Sequence, residues 1–142
     1  MKDIYKALIT FLRGDATLVN ETNYSASNQS IQRADPETDY KMPCLVVKLV
    51  DTIPLVPDVD GVYTTIFHLT AFDADELDVM DILAATRAKL EQAAGSVAEA
   101  DWGDTTIRAR GCRVTSETGT MHPEDGDYWQ GTLIAEVDWD RK

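Results

Sequence analysis

The sequence predicts a single α+β domain in which an antiparallel sheet of about four main strands, in mixed order, packs against helices. Two segments, Val62–Phe72 and Tyr128–Trp139, have the period-two pattern of β-strands. Between them, Asp75–Ala94 has the length and apolar spacing of a long helix. The predicted order is helix, strand, strand, helix, strand, strand, and no internal repeat or linker divides residues 1–142.

The first helix is predicted over Asp3–Arg13. Its apolar residues recur at helical spacing and form one stripe: Ile4, Leu8, Phe11 and Leu12. Asp3 is placed to cap the start of the helix, and Gly14 is placed to end it. We expect Asp15–Val19 to add one further turn.

A polar and irregular segment follows at Asn20–Lys41, broken by Asp35-Pro36. It is longer than an ordinary connection in a compact domain, and long loops of this kind are usually functional or become ordered on a partner. We expect Ile31 and Tyr40 to tether it to the core.

The first strand is predicted over Cys44–Asp51, directly after Pro43, where a proline removes no hydrogen bond from the sheet. The loop Thr52–Gly61 comes next and carries apolar side chains on a segment that prolines keep extended. Exposed apolar side chains indicate a contact surface. The alternative is that they fold back onto the sheet.

Both faces of Val62–Phe72 are fairly apolar, which indicates a strand that is central or covered on both sides. The helix Asp75–Ala94 begins at a capping aspartate, Asp73 or Asp75. Its predicted buried face consists of Leu77, Met80, Leu83, Ala84, Arg87 and Leu90.

The third strand is predicted over Thr105–Ser116, with a bulge at Gly111. A turn at Glu117–Asp127 leads into the last strand. One face of that strand is Trp129, Gly131, Leu133, Ala135, Val137 and Trp139.

The charge balance is strongly acidic, with 25 Asp and Glu against 13 Lys and Arg and a formal net charge of -12. Phosphate binding depends on clustered Lys and Arg, so we expect only loose contact with DNA and none with an anionic membrane. No stretch is long and apolar enough to span a bilayer. The first residues lead directly into the amphipathic helix without a secretory signal pattern, which favours assembly in the cytoplasm.

The two cysteines, Cys44 and Cys112, both lie in predicted strands. The sequence favours two reduced, buried thiols. A disulfide between them is the alternative if the two strands are neighbours.

No catalytic or cofactor site is predicted. A Gly-rich phosphate loop, a G-x-S-x-G motif and an H-E-x-x-H motif are all missing from the sequence. His68 lies within a strand, where a structural role is expected. The candidate metal ligands are His122, Glu124, Asp125 and Asp127, and the carboxylate oxygens of the last three suit a divalent cation. A solvated acidic turn is the simpler interpretation, so no metal site is predicted.

Four segments carry a resemblance to a known family: Met42–Val47, Tyr63–Phe72, Asp75–Leu90 and Tyr128–Val137. A proline-led strand, a helix directly after the second strand and an aromatic-led final strand are arranged here over most of the chain. This arrangement resembles the tail-terminator and tail-completion (minor tail) proteins of long-tailed bacteriophages.

The resemblance implies a non-enzymatic virion protein, assembled in the host cytoplasm. It implies a ring, usually hexameric, that ends polymerisation of the tail tube at its head-proximal end and provides the surface on which the head docks. The implied partners are further copies of the chain, the tail tube protein and a head-completion or connector protein. DNA would pass through the lumen without specific binding, because acidic walls repel phosphates. Three alternatives stay open: another head–tail joining or neck protein, a monomeric acidic binding module, and an enzyme subunit with an unrecognised site.

Two segments are predicted to make assembly contacts. The first contributes Ile53, Leu55, Val56, Asp58 and Asp60, and the second contributes Asn23, Tyr24 and Ile31. Because each subunit is strongly negative, free subunits should repel each other. Association is therefore expected to strengthen with salt or divalent cations.

Overall fold

Helices pack on one face of a five-stranded sheet in the computed structural model, which describes residues 2–34, 41–55, 61–94, 102, 106–122 and 126–141. The elements are α1 (Lys2–Arg13), α2 (Ala16–Thr22), β1 (Ile31–Arg33), β2 (Cys44–Pro54), β3 (Val62–Asp73), α3 (Glu76–Ala94), β4 (Ile107–Glu117) and β5 (Trp129–Arg141). The strand order is β1-β2-β3-β5-β4. The four long strands are antiparallel, and short β1 runs parallel to β2. The predicted α+β class is confirmed, with α2 and β1 as additions.

The apolar spacing of α1 and the capping residue of α2 explain where the first two helices form. Ile4, Leu8 and Leu12 are completely buried, so the predicted stripe of α1 does face the core. The Asp15 side chain caps α2 by accepting a hydrogen bond of 2.8 Å from the backbone amide of Leu18. The predicted extra turn is therefore a complete helix, which ends at Thr22.

The polar segment after α2 contains a strand that the sequence prediction missed. Residues 31–33 pair with residues 45–47, and the buried Ile31 anchors the pairing as expected. Three residues are too few for an alternating pattern to be visible. The Tyr5 hydroxyl donates to the Val47 carbonyl and accepts from the Ala34 amide, which ties α1 to this edge of the sheet. Tyr40 lies outside the described residues.

Central strands β3 and β5 pair along their whole length, from Val62 opposite Asp140 to Asp73 opposite Trp129. The face under the helices includes Phe67, Leu69, Ala71, Leu133, Ala135 and Val137, all buried. The opposite face of β3 is half-buried, and there the Thr70 and Thr132 hydroxyls are 2.9 Å apart. The predicted central position of β3 is confirmed.

Strand β2 is longer than predicted and ends at Pro54 instead of Asp51. Its pairing with β3 shifts between Leu49 and Asp51, so Val50 bulges out without a partner. The sequence indicated a loop from Thr52 onwards because the segment carries prolines and aspartates, which are typical of loops.

Helix α3 begins where predicted, because the Asp75 side chain accepts a hydrogen bond of 2.9 Å from the Leu77 amide. Its predicted buried face is correct at Leu83 and Leu90, which are buried, and wrong at Leu77 and Met80, which are 66% and 50% exposed. The other buried side chains are Val79, Ile82 and Thr86. The helix has two apolar stripes at valid spacing, and the sheet selects one of them.

Gly131 in β5 favours one of the two apolar stripes of α3 for packing against the sheet. A Cβ atom at this position of β5 would lie 2.6 Å from Leu83 Cδ1 and 3.5 Å from Val79 Cγ1. Glycine therefore lets α3 lie close to the sheet over these two residues. The bulge predicted in β4 is confirmed, since the pairing with β5 shifts between Ala109 and Gly111.

Both cysteines are buried free thiols, and the disulfide alternative is wrong because strands β3 and β5 separate β2 from β4. Burial raises the pKa of Cys44 to about 12, with Asp73 adding to the effect. Burial also raises the pKa of Cys112 to about 12. Among the described residues, no helix has both the length and the apolar character that a membrane crossing requires.

Candidate assembly surfaces

An apolar surface lies at the end of β2, before the turn into β3. Ile53 is 46% exposed and Leu55 is 43% exposed, so a large part of each side chain is open to solvent. The bulged Val50, farther from the turn in the same strand, is 45% exposed. We call Ile53 and Leu55 the hairpin surface. Val56, Asp58 and Asp60 lie outside the described residues.

A second apolar surface lies at the opposite end of the sheet, where α3 begins. It consists of Leu77, Met80 and Met121, each at least half exposed. Beside it is an open cleft of about 590 Å³ between α3 and the end of β4, lined in part by Met80, Ala84 and Gly119. We call Leu77, Met80 and Met121 the helix surface. The sequence prediction missed it, because the same apolar residues suited a buried stripe.

Hydrogen bonds and ion pairs hold the walls of this cleft in place. Thr120 donates a hydrogen bond of 2.6 Å from its hydroxyl to Glu76. Arg87 bridges Glu91 at 2.8 Å and Glu117 at 2.7 Å, and these hydrogen bonds raise the pKa of the guanidinium. The start of α3 and the end of β4 therefore form one rigid border.

Three contact residues were predicted in the segment from the end of α2 to β1, and they differ in how exposed they are. Asn23 is exposed and ends α2 in the left-handed conformation, with φ 55°. Tyr24 is half-buried under the Arg13 guanidinium, which lies 4.9 Å from the ring centre. Ile31 does not fit the predicted role of a contact residue, because its side chain is fully buried within the chain and offers no surface to a partner.

The predicted metal ligands do not form a site in the described residues. His122 is exposed and contacts the edge of the Trp129 ring, with centroids 5.2 Å apart. Asp127 is exposed, and Glu124 and Asp125 lie outside the described residues. Across the part of the chain that the structure covers, no group of three or more His, Cys, Asp or Glu side chains is placed to hold a metal ion. His68 lies half-buried in β3 opposite Ile134, as expected for a strand histidine.

Arginines of β4 neutralise the acidic outer face of β5. Arg113 contacts Glu136 at 2.6 Å and Asp138 at 2.9 Å. Arg110 contacts Asp140 at 2.6 Å, and its guanidinium holds the pKa of that carboxyl below the usual range. This face of the sheet is therefore closer to neutral than the composition of β5 suggests.

Comparison with solved structures shows where this fold occurs. The chain matches a chain from the virion of a native gene transfer agent particle with a TM-score of 0.64 and 16% sequence identity, covering 98% of this chain and 96% of that one. It also matches the gp17 protein of bacteriophage SPP1 with a TM-score of 0.52 and 16% identity, covering 96% of this chain and 88% of that one. No protein-family model and no curated protein matched the sequence. At this identity the likeness establishes a shared fold.

Proposed function

We propose that the chain is a structural virion protein that forms a ring at the head-proximal end of a phage-like tail tube. The ring, usually hexameric in the family that the sequence resembles, would stop tube polymerisation and provide the docking surface for the head. Its role is stoichiometric and involves no catalysis. The observation that carries the proposal is the shared fold with a chain of a virion, which spans nearly all of both chains.

The two apolar surfaces support this role. The hairpin surface and the helix surface lie at opposite ends of β3, about 35 Å apart for a strand of this length. They consist of different residues, so the two ends can bind different partners. A ring between a tube and a head needs two unlike end surfaces of this kind. We assign one end to the tail tube protein and the other to the head-completion or connector protein.

The acidic composition supports passage of DNA through the ring. A ring of subunits with a net charge of -12 each is expected to repel phosphates overall. In this proposal DNA crosses the lumen without specific binding, and assembly takes place in the host cytoplasm.

The proposal is tested by adding the purified chain to the tail tube protein of the same particle. Tube lengths are then measured in negative-stain images. We expect a ring with a central hole, bound at one end of each tube, and shorter tubes as the ratio of chain to tube protein rises. Tubes whose length does not depend on the chain, with no ring bound, would refute the proposal.

A variant pair identifies the end that binds the tube. Replacing Ile53 and Leu55 by serine removes apolar area from the hairpin surface, whereas Met42→Ser removes an exposed apolar side chain that belongs to neither surface. If the hairpin surface binds the tube, the double variant keeps the ring and loses the effect on tube length, and Met42→Ser keeps both. A ring that joins head and tail but leaves tube length unchanged would favour a neck protein instead.

A further inference from the structure

A basic cleft lies between α1 and the edge strand β1. Its volume is about 550 Å³, and its lining residues are Lys6, Ile9, Thr10, Arg13, Gln32 and Arg33. Three of these six side chains are cations and none is an acid. This is unusual in a chain with 25 acidic and 13 basic residues.

The three cations have no carboxylate partner among the described residues. The arginines Arg87, Arg113 and Arg141, by contrast, all form ion pairs with nearby acids. Arg13 donates to the Ile31 carbonyl at 2.8 Å and to the Gln29 amide oxygen at 3.1 Å, which positions its guanidinium but leaves its charge uncompensated. The cleft therefore has a strong preference for an acidic surface.

The same chain presents such a surface at the start of α3. Asp75, Asp78 and Asp81 are exposed, spaced three residues apart, and form no ion pair within the described part of the chain. A hydrogen bond to Asp73 raises the pKa of Asp78, with a smaller contribution from the charge of Asp75. Several carboxylates lie close together at the start of α3, so a cation from a second molecule would stabilise this part of the helix.

We propose that the basic cleft binds the acidic stripe Asp75, Asp78 and Asp81 of a second copy of the chain, beside the helix surface that an end partner covers. Lys6 and Arg13 are seven residues apart on α1, which places them about 10 Å apart along the helix axis. Asp75 and Asp81 are six residues apart, or about 9 Å. The positive and negative charges therefore have matching spacing. The contact is head-to-tail, because one copy contributes the cleft and the next contributes the helix, and such contacts close into a ring when the rotation between copies fits. The inference deepens the proposed function by naming the contact between ring subunits.

This contact has a distinctive dependence on salt. At very low salt the two strongly negative subunits repel each other over long range. At about 0.15 M salt the Debye length is about 8 Å, so that repulsion is screened, while charges in direct contact are screened less. At about 1 M the direct pairs are weakened too. We expect association to be strongest at intermediate salt and to fall again at high salt.

The test exchanges the charges of the two surfaces. The cleft variant carries Lys6→Glu and Arg33→Glu, and leaves Arg13 in place because it supports β1. The helix variant carries Asp78→Lys and Asp81→Lys, and leaves the capping Asp75 in place. The control variant carries Lys41→Glu and Lys48→Glu, which change the net charge as the cleft variant does but lie outside the cleft lining. Circular dichroism melts check that each variant is folded.

Association is measured at about 0.15 M salt by sedimentation equilibrium and by light scattering coupled to size-exclusion chromatography. We expect the cleft variant alone and the helix variant alone to associate about 100-fold more weakly than wild type, because like charges then face each other. The control variant should associate as wild type does. An equal mixture of the two variants should restore association, since each cleft then meets a helix of opposite charge, and the restored ring should alternate the two.

Three results would overturn the inference. The first is a wild-type ring that both variants still form. The second is weakening by the variants without restoration in the mixture, which would show that both surfaces affect association but do not contact each other. The third is a wild-type chain that stays monomeric at every salt concentration, even when the protein concentration is raised to about 1 mM. The first two results leave the proposed function standing, and the third leaves only a ring assembled on the tube, which the tube-length experiment detects separately.

Discussion

Replacing Gly131 by alanine tests whether the close approach of α3 to the sheet sets the rotation of that helix. The new Cβ atom would lie 2.6 Å from Leu83 Cδ1, whereas carbon atoms in contact are normally separated by about 3.5–4.0 Å. The overlap is therefore about 1 Å. Leu83 must leave its rotamer, or α3 must move away from β5.

The expected cost follows from two opposing effects. Inserting a methyl group into a packed core costs about 1–3 kcal/mol. Removing a glycine from a strand returns about 0.5–1 kcal/mol, because the unfolded chain loses less freedom on folding. We expect Gly131→Ala to lower the free energy of unfolding by about 1 kcal/mol. In a chain that also carries Leu83→Ala the clash is gone, so Gly131→Ala should be neutral or stabilising there.

The assay is urea unfolding followed by circular dichroism for wild type, both single variants and the double variant. We expect a coupling energy of about 1–2 kcal/mol between Gly131 and Leu83. Gly111→Ala is the matched control, since a Cβ atom at Gly111 meets nothing within 4 Å, and its effect should stay within about 0.5 kcal/mol. A Gly131→Ala variant as stable as wild type, with no coupling to Leu83, would refute this account of the helix position.

Three further predictions concern the hydrogen bonds, thiols and ion pairs of the sheet. Thr65→Val removes the acceptor that lies 2.8 Å from the buried indole nitrogen of Trp139, and should cost about 1–3 kcal/mol by urea unfolding; Thr65→Ser, which keeps the hydroxyl, should cost less, and equal costs would contradict the role of the hydrogen bond. The two buried thiols, both with pKa raised to about 12, should react with Ellman's reagent at pH 8 at least about 100-fold more slowly in the native protein than in urea, and fast native labelling would show that they are accessible. Arg110→Met should cost about 0.5–1 kcal/mol at pH 7, because Arg110 is 46% exposed and solvent weakens the pair, although the Asp140 side chain is only 15% exposed. Because Arg110 lowers the pKa of Asp140, the stability from this pair is present above the unfolded pKa of about 3.9 and is lost as pH falls through the lower folded pKa. Urea unfolding between pH 7 and about 2 should therefore show the wild-type advantage disappearing in acid, and an advantage that persists there must come from something other than the ion pair.

The parts of the fold that the sequence predicted are those with local causes. Strand β5 alternates strictly because one face lies under α3 and the other does not, so its pattern is visible in the sequence alone. The start of α3 follows from the Asp75 cap, and the bulge in β4 lies beside Gly111. Each of these signals is contained in a few consecutive residues.

The parts that the sequence did not predict depend on distant residues. Strand β1 exists because Ile31 fits the core beside β2, and three residues leave no periodic pattern. The end of β2 was predicted as a loop because Pro54 and the residues after it are typical of loops, whereas the pairing with β3 that keeps it extended is not visible locally. The basic cleft was not predicted, because Lys6 and Arg33 meet only after α1 has packed against the strand edge.

Of the predicted contact residues, some are exposed as a contact requires and one is buried in the core. Ile53 and Leu55 are exposed, and for Ile53 the reason is its register opposite Thr64, on the face that the helices do not cover. Ile31 is buried, since the role of core tether that the sequence also predicted excludes a role on the surface. One side chain of this size cannot fill the core and contact a partner in the same conformation.

The error on α3 is itself informative about function. A helix that packs only against its own sheet needs one apolar stripe, and the opposite face is normally polar. Helix α3 buries Val79, Ile82 and Leu90, yet it also carries the exposed Leu77 and Met80. Exposed apolar groups reduce the solubility of a monomer and add nothing to its core. A second stripe is therefore expected on a helix with two partners: its own sheet, and another protein that covers the helix surface after assembly. The ambiguity that made the buried face hard to predict from the sequence is thus a physical argument for a protein that acts within an assembly.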